Sequence, residues 1–411
     1  MSKTHIIIGA SAAGTAAAHK LRQLDADAII IVVSDELEAP YNKCMLADYL
    51  AGSKDESQVH TLTLEQAKNK NITLMLGTRV TSIIPDQKKI ILDDGQELAY
   101  DTLLLGVGTS PIIPTLPGLA EAEGVFTFHR LRDMHAIMQW IAKSQVKKAV
   151  VVGAGLSGLE CADALLSHNI EVTVVEKQGQ VLSSIVDAQG SKAIEQQMAV
   201  HNVTFCANEM VSEIISNNGS TTLKLRRAGR VSGVMLASGK ALDADMVIFA
   251  VGLRPNVQLA FQAGVAVQDQ GIITNQFMQT SVSAIYAAGD IAMVQDQLSG
   301  KLVPSRLWPD AMLQGLVAAC HMAGQPRVYP GISPVISSSF FGIKFAACGP
   351  ILTPLADGEL ITQQGDGYYH LFLLVAGTLK GFLLVGNTNA MGTYRQMVMT
   401  KALVDKAVLK V

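Results

Sequence analysis

The chain reads as short, wholly apolar runs separated by glycine turns and Ala-rich stretches, the pattern of strands buried on both faces and joined by helices. Residues 5–8 predict a first strand, Gly9 to Gly14 a tight turn, and the stretch through Leu24 a helix. Residues 28–33 predict the next strand, ending at Ser34, Asp35 and Glu36. The same order returns at 148–152, with Gly153 to Gly158 as the turn, a helix to about 168, and a strand over 171–175 ending at Glu176. A β-α-β unit therefore occurs twice in one chain.

Other elements follow from breakers. Residues 90–92 and 97 onward, flanking Asp93-Asp94-Gly95, predict a hairpin, and so do 370–386, broken at Gly377 and Gly381. Short strands are expected over 103–105 and 285–287, the second running into Gly289 and Asp290. Pro111, Pro114, Pro117 and Gly118 form a breaker-rich connector, and a second crossing is expected near 251–256. Beyond Gln325 the pattern changes to short strands between glycine turns. The expected organisation is a discontinuous domain over 1–114 and 247–325, a second domain over 115–246 inserted into it, and a third over 326–411.

At 411 residues the chain exceeds what one hydrophobic core usually holds, which agrees with several domains. Hydrophobic residues at 49% and charged residues at 16% exclude a disordered chain. The net charge of -3 creates no field that would gather nucleic acid or an anionic membrane, so neither is expected as a partner. Mean hydropathy of +0.30 raises the question of a membrane span. Even so, no apolar run reaches the roughly 20 residues a spanning helix needs. No basic region followed by an apolar stretch opens the sequence, so cytoplasm is the expected compartment. Cys44, Cys161, Cys206, Cys320 and Cys348 are odd in number and scattered, suggesting neither a disulfide framework nor a metal site.

The chemistry lies first in the two glycine turns. Each stands between a strand and a helix, with an acid at the end of the following strand: Glu36 is 22 residues beyond Gly14, and Glu176 is 18 beyond Gly158. Glycines let the backbone turn sharply and approach a pyrophosphate at a helix N-terminus, while the acid accepts hydrogen bonds from a ribose diol. Ser11 stands where the first turn would carry its second glycine, and Asp35 competes with the better-spaced Glu36. Two complete units point to two dinucleotides.

Together with the Gly289-Asp290 turn and the strand ending in Gly106, Val107, Gly108 and Thr109, these turns resemble the FAD-dependent pyridine nucleotide-disulfide oxidoreductases. The resemblance runs over nearly the whole chain. It implies an α/β fold with two Rossmann-like dinucleotide-binding domains, arranged as in glutathione reductase, plus a small C-terminal α+β domain. It further implies that FAD is held by Gly9, Ser11, Ala12, Gly14 and Glu36, with Val80, Gly108, Asp290 and Trp308 also on the flavin side. NAD(P)H would fall to Gly153, Gly155, Gly158, Glu176 and Gly252. Val107 replaces the family's usual Thr, which puts one local hydrogen bond in doubt. Glu160 matches the family's acid near the meeting of nicotinamide and flavin. A carboxylate at Glu176 welcomes the NAD ribose and repels a 2′-phosphate, so NADH is expected over NADPH, with Lys177 weakening the preference slightly.

The segment from Pro40 to Tyr49 looks like the branch that contains rubredoxin, ferredoxin and nitrite reductase-like members. Lys43 would then stabilise negative charge developing on the flavin. Cys44 falls in the register of the single redox cysteine of NADH oxidases and coenzyme A disulfide reductases, and no second cysteine lies two to five residues away. The last ~85 residues resemble the compact C-terminal domain of the rubredoxin reductase branch, a size within the range of an independent domain. Trp308, Ala311 and the Gln314-Gly315 pair match the segment covering one end of the flavin there. The expected activity is NADH oxidation through FAD to a small rubredoxin- or ferredoxin-like carrier, by a monomer or homodimer. Two alternatives stand beside it: reduction of a small thiol, persulfide or oxygen species through Cys44, and an NADH-responsive FAD redox sensor.

Overall fold

The computed structural model describes residues 2–217, 229–268, 271–332, 335–353, 355, 357–405 and 409. They form two compact units. The first comprises Met1–Leu46, Asp55–Ser110 and Leu253–Ile332; the second comprises Ala47–Lys54, Pro111–Gly252 and Ser333–Val411.

The first unit is built on a five-stranded parallel sheet. Thr4–Ile8 is central, flanked by Ile29–Val33 then Ile72–Met75 on one side and by Thr102–Leu105 then Ile285–Ala287 on the other. Ile and Val fill the strands Thr4–Ile8 and Ile29–Val33 because β-branched side chains pack well on a pleated surface covered on both faces. Helix Ala12–Leu24 turns Ala13, Ala17, Ala18 and Leu21 inward. Its small residues allow close approach of helix Trp308–Met322: a side chain at Gly315 would meet the backbone oxygen of Ala13 at 2.1 Å. The hairpin Lys89–Leu92 with Glu97–Ala99 forms as expected around Gly95, whose φ of +86° explains the glycine.

The second unit repeats the plan. Lys148–Val152 is central, between Glu171–Val175 with Thr204–Cys206 and Met246–Phe249 with Val125–Thr127, all parallel. The duplication extends to one carboxylate at the sheet floor. Asp101, just before its strand, accepts from the amide of Thr4 at 2.7 Å. Asp245, in the equivalent place, accepts from Lys147 and Lys148 at 2.9 and 3.0 Å. Each satisfies an amide at the start of a buried strand, where an unpaired donor would be costly.

The second unit also carries a five-stranded antiparallel sheet, ordered Val335–Phe340, Ile343–Cys348, Thr378–Val385, Tyr368–Val375 and Gly358–Gly365. Tyr368–Val375 and Thr378–Val385 are the hairpin expected at Gly377. Helix Met391–Thr400 seats Tyr394 against Phe372, with ring centroids 4.9 Å apart. Two Rossmann-like layers and a C-terminal α+β element therefore match the fold class expected from the sequence. Among the described residues no helix is long and apolar enough to cross a membrane.

Candidate functional site

In the first unit the glycine turn is forced by contact. A side chain at Gly14 would stand 1.9 Å from the oxygen of Gly9, and one at Gly9 would stand 2.2 Å from that of Gly106. The turn is pinned when the Gly9 amide donates to Val33 at 2.8 Å. Ser11 takes the N-cap position at φ −92° and ψ −156°, a conformation open to any residue, so its departure from glycine costs the backbone nothing. No acid occupies the first turn of the helix it opens, leaving the positive end of the helix for an anion. Ala12 is buried at its first position.

The two acids after Val33 have different partners. Asp35 pairs with Arg79 at 3.0 Å on the surface, whereas Glu36 accepts from the buried Tyr41 hydroxyl at 2.6 Å. Val80 is buried at the start of strand Val80–Ile84. Gly108, at φ +59°, faces open space. Asp290 follows Gly289, whose φ of +83° places it in the left-handed region, and the Gly289 amide donates to Gln314 Oε1 at 2.7 Å. Burial lifts the Asp290 carboxyl above its ordinary range, while the charges of Lys43 and Arg306 and the Thr109 hydroxyl pull it back. Trp308 begins its helix half-buried against the core. Lys43 and Cys44 share the short 3-10 turn Lys43–Met45; Cys44 is exposed, and its amide is held by Asn42 Oδ1 at 3.0 Å.

In the second unit the same glycine logic applies, with one informative difference. Gly158 would meet the oxygen of Gly153 at 2.0 Å and Gly153 that of Ala250 at 2.5 Å, but a side chain at Gly155 would meet nothing within 4 Å. Gly158 and Gly153 are therefore required by the fold, whereas Gly155 leaves room in front of the helix. The first turn of Leu156–Leu166 again holds no acid. Glu176 is drawn onto this turn: Oε2 accepts from Ala154 at 2.8 Å and Oε1 from Gln178 at 2.9 Å. Each oxygen keeps a lone pair for a further donor. Gly252, at φ +116°, lies in the backbone crossing where its oxygen accepts from Ile112 at 2.9 Å. Glu160 sits beyond the first turn, its Oε1 accepting from Ser338 at 2.6 Å. Burial raises the Glu160 carboxyl above its usual range and nearby Asp48 adds to this, while Ser338 opposes both.

The profile described as "Pyridine nucleotide-disulphide oxidoreductase" matches residues 3–315. The chain belongs to that family. It is 32% identical over 340 residues to an NADH oxidase of Methanocaldococcus jannaschii, covering 81% of this chain and 73% of that protein. It is 30% identical to the assimilatory nitrate reductase electron transfer subunit of Bacillus subtilis, of which it spans only 44%. A ferredoxin reductase from Rhodopseudomonas palustris superposes with a TM-score of 0.88 at 25% identity, covering all of this chain and 98% of that one. As a member of the family the chain is an NAD(P)H oxidoreductase that uses FAD and NAD(P)H.

The residues present fit both cofactors. Two acid-free helix starts, open space at Gly108 and Gly155, and acids placed at both strand ends are what two dinucleotides require. Four pairings escaped the sequence reading, which had placed Tyr41 and Gln314 in flavin-side segments but without partners: Tyr41 on Glu36, Gln314 under the Gly289 turn, Arg306 beside Asp290, and Ser338 on Glu160. Only the first was near enough in sequence to be guessed. Asn256 is a fifth; it donates to the Val107 oxygen at 2.9 Å and so gives the segment a backbone bond where the family's usual Thr is missing.

Proposed function

We propose that the chain oxidises NADH in preference to NADPH and delivers the electrons through FAD to a small ferredoxin- or rubredoxin-like protein. In this reading 1–114 with 247–325 bind FAD, 115–246 bind NADH, and 326–411 form the C-terminal domain. Gly9, Ser11, Ala12 and Gly14 hold the FAD pyrophosphate, Glu36 and Asp290 its hydroxyls, with Val80, Gly108 and Trp308 beside it. Gly153, Gly155 and Gly158 hold the NADH pyrophosphate, Glu176 its ribose, with Gly252 at the crossing. When bound, the pair supplies hydride transfer from nicotinamide to flavin. Lys43 offers a fixed positive charge where negative charge develops, and Glu160 contributes a carboxylate fixed by the Ser338 hydroxyl.

The observation that carries the carrier reading is the likeness to a ferredoxin reductase along both full chains, C-terminal sheet included. The exposed Cys44 and the likeness to an NADH oxidase favour a second reading, in which a thiolate at Cys44 reduces a small sulfur or oxygen species. Stopped-flow mixing tests both. Enzyme reduced by NADH is mixed with ferredoxin, rubredoxin, coenzyme A disulfide and oxygen in turn, and the carriers should reoxidise it fastest. Faster reoxidation by the disulfide or by oxygen would replace the first reading with the second.

A further inference from the structure

Glu160 is held by an element distant in sequence. Helix Leu156–Leu166 presents two carboxylates three residues apart, one helical neighbour step. Both are met by the strand Val335–Phe340 and the turn after it: Glu160 Oε1 by the Ser338 hydroxyl at 2.6 Å, Asp163 Oδ1 by the Phe341 amide at 3.0 Å. The strand reads Ser337-Ser338-Ser339, and its period of two selects the middle residue. Ser337 and Ser339 are exposed while Ser338 turns inward. Asp48 adds a like charge near Glu160 from the segment Ala47–Lys54, which His168 holds by a 2.6 Å bond to the Leu50 oxygen.

We propose that Ser338 is a positioning residue for Glu160, its hydroxyl, 2.6 Å from Oε1, holding that carboxylate in one orientation on the helix. This deepens the functional reading above and rests on Glu160 serving the reductive half-reaction. Burial and a nearby like charge both favour the protonated form of a carboxyl, and a donor to its charged form opposes them. Ser338 is that donor. A hydroxyl that donates to Glu160 cannot do so once the carboxyl carries a proton aimed at it, so losing the hydroxyl favours the protonated acid. Asp163 is engaged with Phe341 and faces His201, and Cys161 is a buried thiol pushed far up by burial. On the two strands under the helix the only charged residues, Lys148 and Glu171, stand at the strand starts, away from the glycine turn.

The test uses FAD-loaded enzyme carrying carboxyl-13C glutamate, with the Glu160 resonance assigned by its loss in Glu160→Gln. Ser338→Ala should raise the Glu160 titration midpoint by about one pH unit, the size set by one hydrogen bond to a charged group. The acid limb of the rate of flavin reduction by NADH should move up with it. Ser338→Thr, which keeps the hydroxyl, should restore both; Ser337→Ala and Ser339→Ala should move neither. FAD content and melting temperature show whether each variant is folded. An unmoved midpoint in folded Ser338→Ala, or an equal shift in Ser337→Ala, overturns the proposal. A protein that holds no FAD, or whose flavin NADH does not reduce, overturns the functional reading instead, and the carboxyl titration still decides the role of Ser338.

Discussion

Gly155 and Gly158 stand three residues apart in one turn and should fail for opposite reasons. At Gly158 an added methyl would lie 2.0 Å from the Gly153 oxygen, so strand and helix must separate. Overpacking of this kind costs about 1–3 kcal/mol, and at roughly 2–4 °C per kcal/mol for a folding unit of about 150–250 residues, such as the one that holds Gly158, Gly158→Ala should melt several degrees lower. At Gly155 the backbone is already extended, φ −76° and ψ −178°, and the methyl meets nothing within 4 Å. Replacing glycine where alanine fits stabilises by about 0.4–1 kcal/mol through the unfolded chain. Gly155→Ala should therefore melt at or slightly above wild type. Its methyl fills the space through which a pyrophosphate must approach the backbone, so NADH affinity should fall at least about tenfold, or 1.4 kcal/mol. Calorimetry and anaerobic NADH titration of FAD-loaded protein measure the two effects separately. Unchanged NADH affinity in a stable Gly155→Ala would refute the assignment of this turn to the nucleotide, and an unperturbed Gly158→Ala would refute the packing argument.

Three further outcomes are expected. Cys44→Ser should keep carrier reduction within about tenfold of wild type; a hundredfold loss with flavin reduction intact would move electron exit to the thiol. Glu176→Ala should narrow the preference for NADH over NADPH in flavin reduction, measured as the ratio of the two rate constants at low cofactor; an unchanged or inverted wild-type preference contradicts the ribose role. His5 is fully buried in the central strand, with Nδ1 2.7 Å from the Thr102 hydroxyl, and burial, then Lys3, lowers its pKa below 6.5. The unfolded chain then binds the proton first, so stability is full above 6.5 and is lost as pH falls toward the folded value. Urea midpoints between pH 7.5 and 5.5 should fall less steeply in His5→Asn, although half-buried His19 and buried His370 carry the same sign.

The repeated β-α-β grammar was legible because it is local. A run such as residues 148–152, short, β-branched and ended by a glycine, reads as a strand covered on both faces, and a glycine turn that precedes a helix has few backbone solutions. Hairpins at Gly95 and Gly377 were legible for the same reason. A subtler repeat was present in the sequence too: an acid precedes each apolar strand at Asp101 and Asp245, and both clamp the sheet floor.

What tertiary structure alone decided are the partners of the site's charged groups. Sequence presented Asp35 and Glu36 as rivals; the fold pairs the first with Arg79 on the surface and brings Tyr41 to the second. It presented Gly153, Gly155 and Gly158 as one motif; packing shows two serving the fold and one facing open space. It offered no reason to connect Glu160 with Ser338, because they are 178 residues apart and nothing in a polar strand position names its partner. Backbone conformation and burial pattern are set by neighbours in sequence, so they can be read along the chain. A buried carboxylate's proton is governed by whichever charges and donors surround it in space, and that set exists only once the chain has folded.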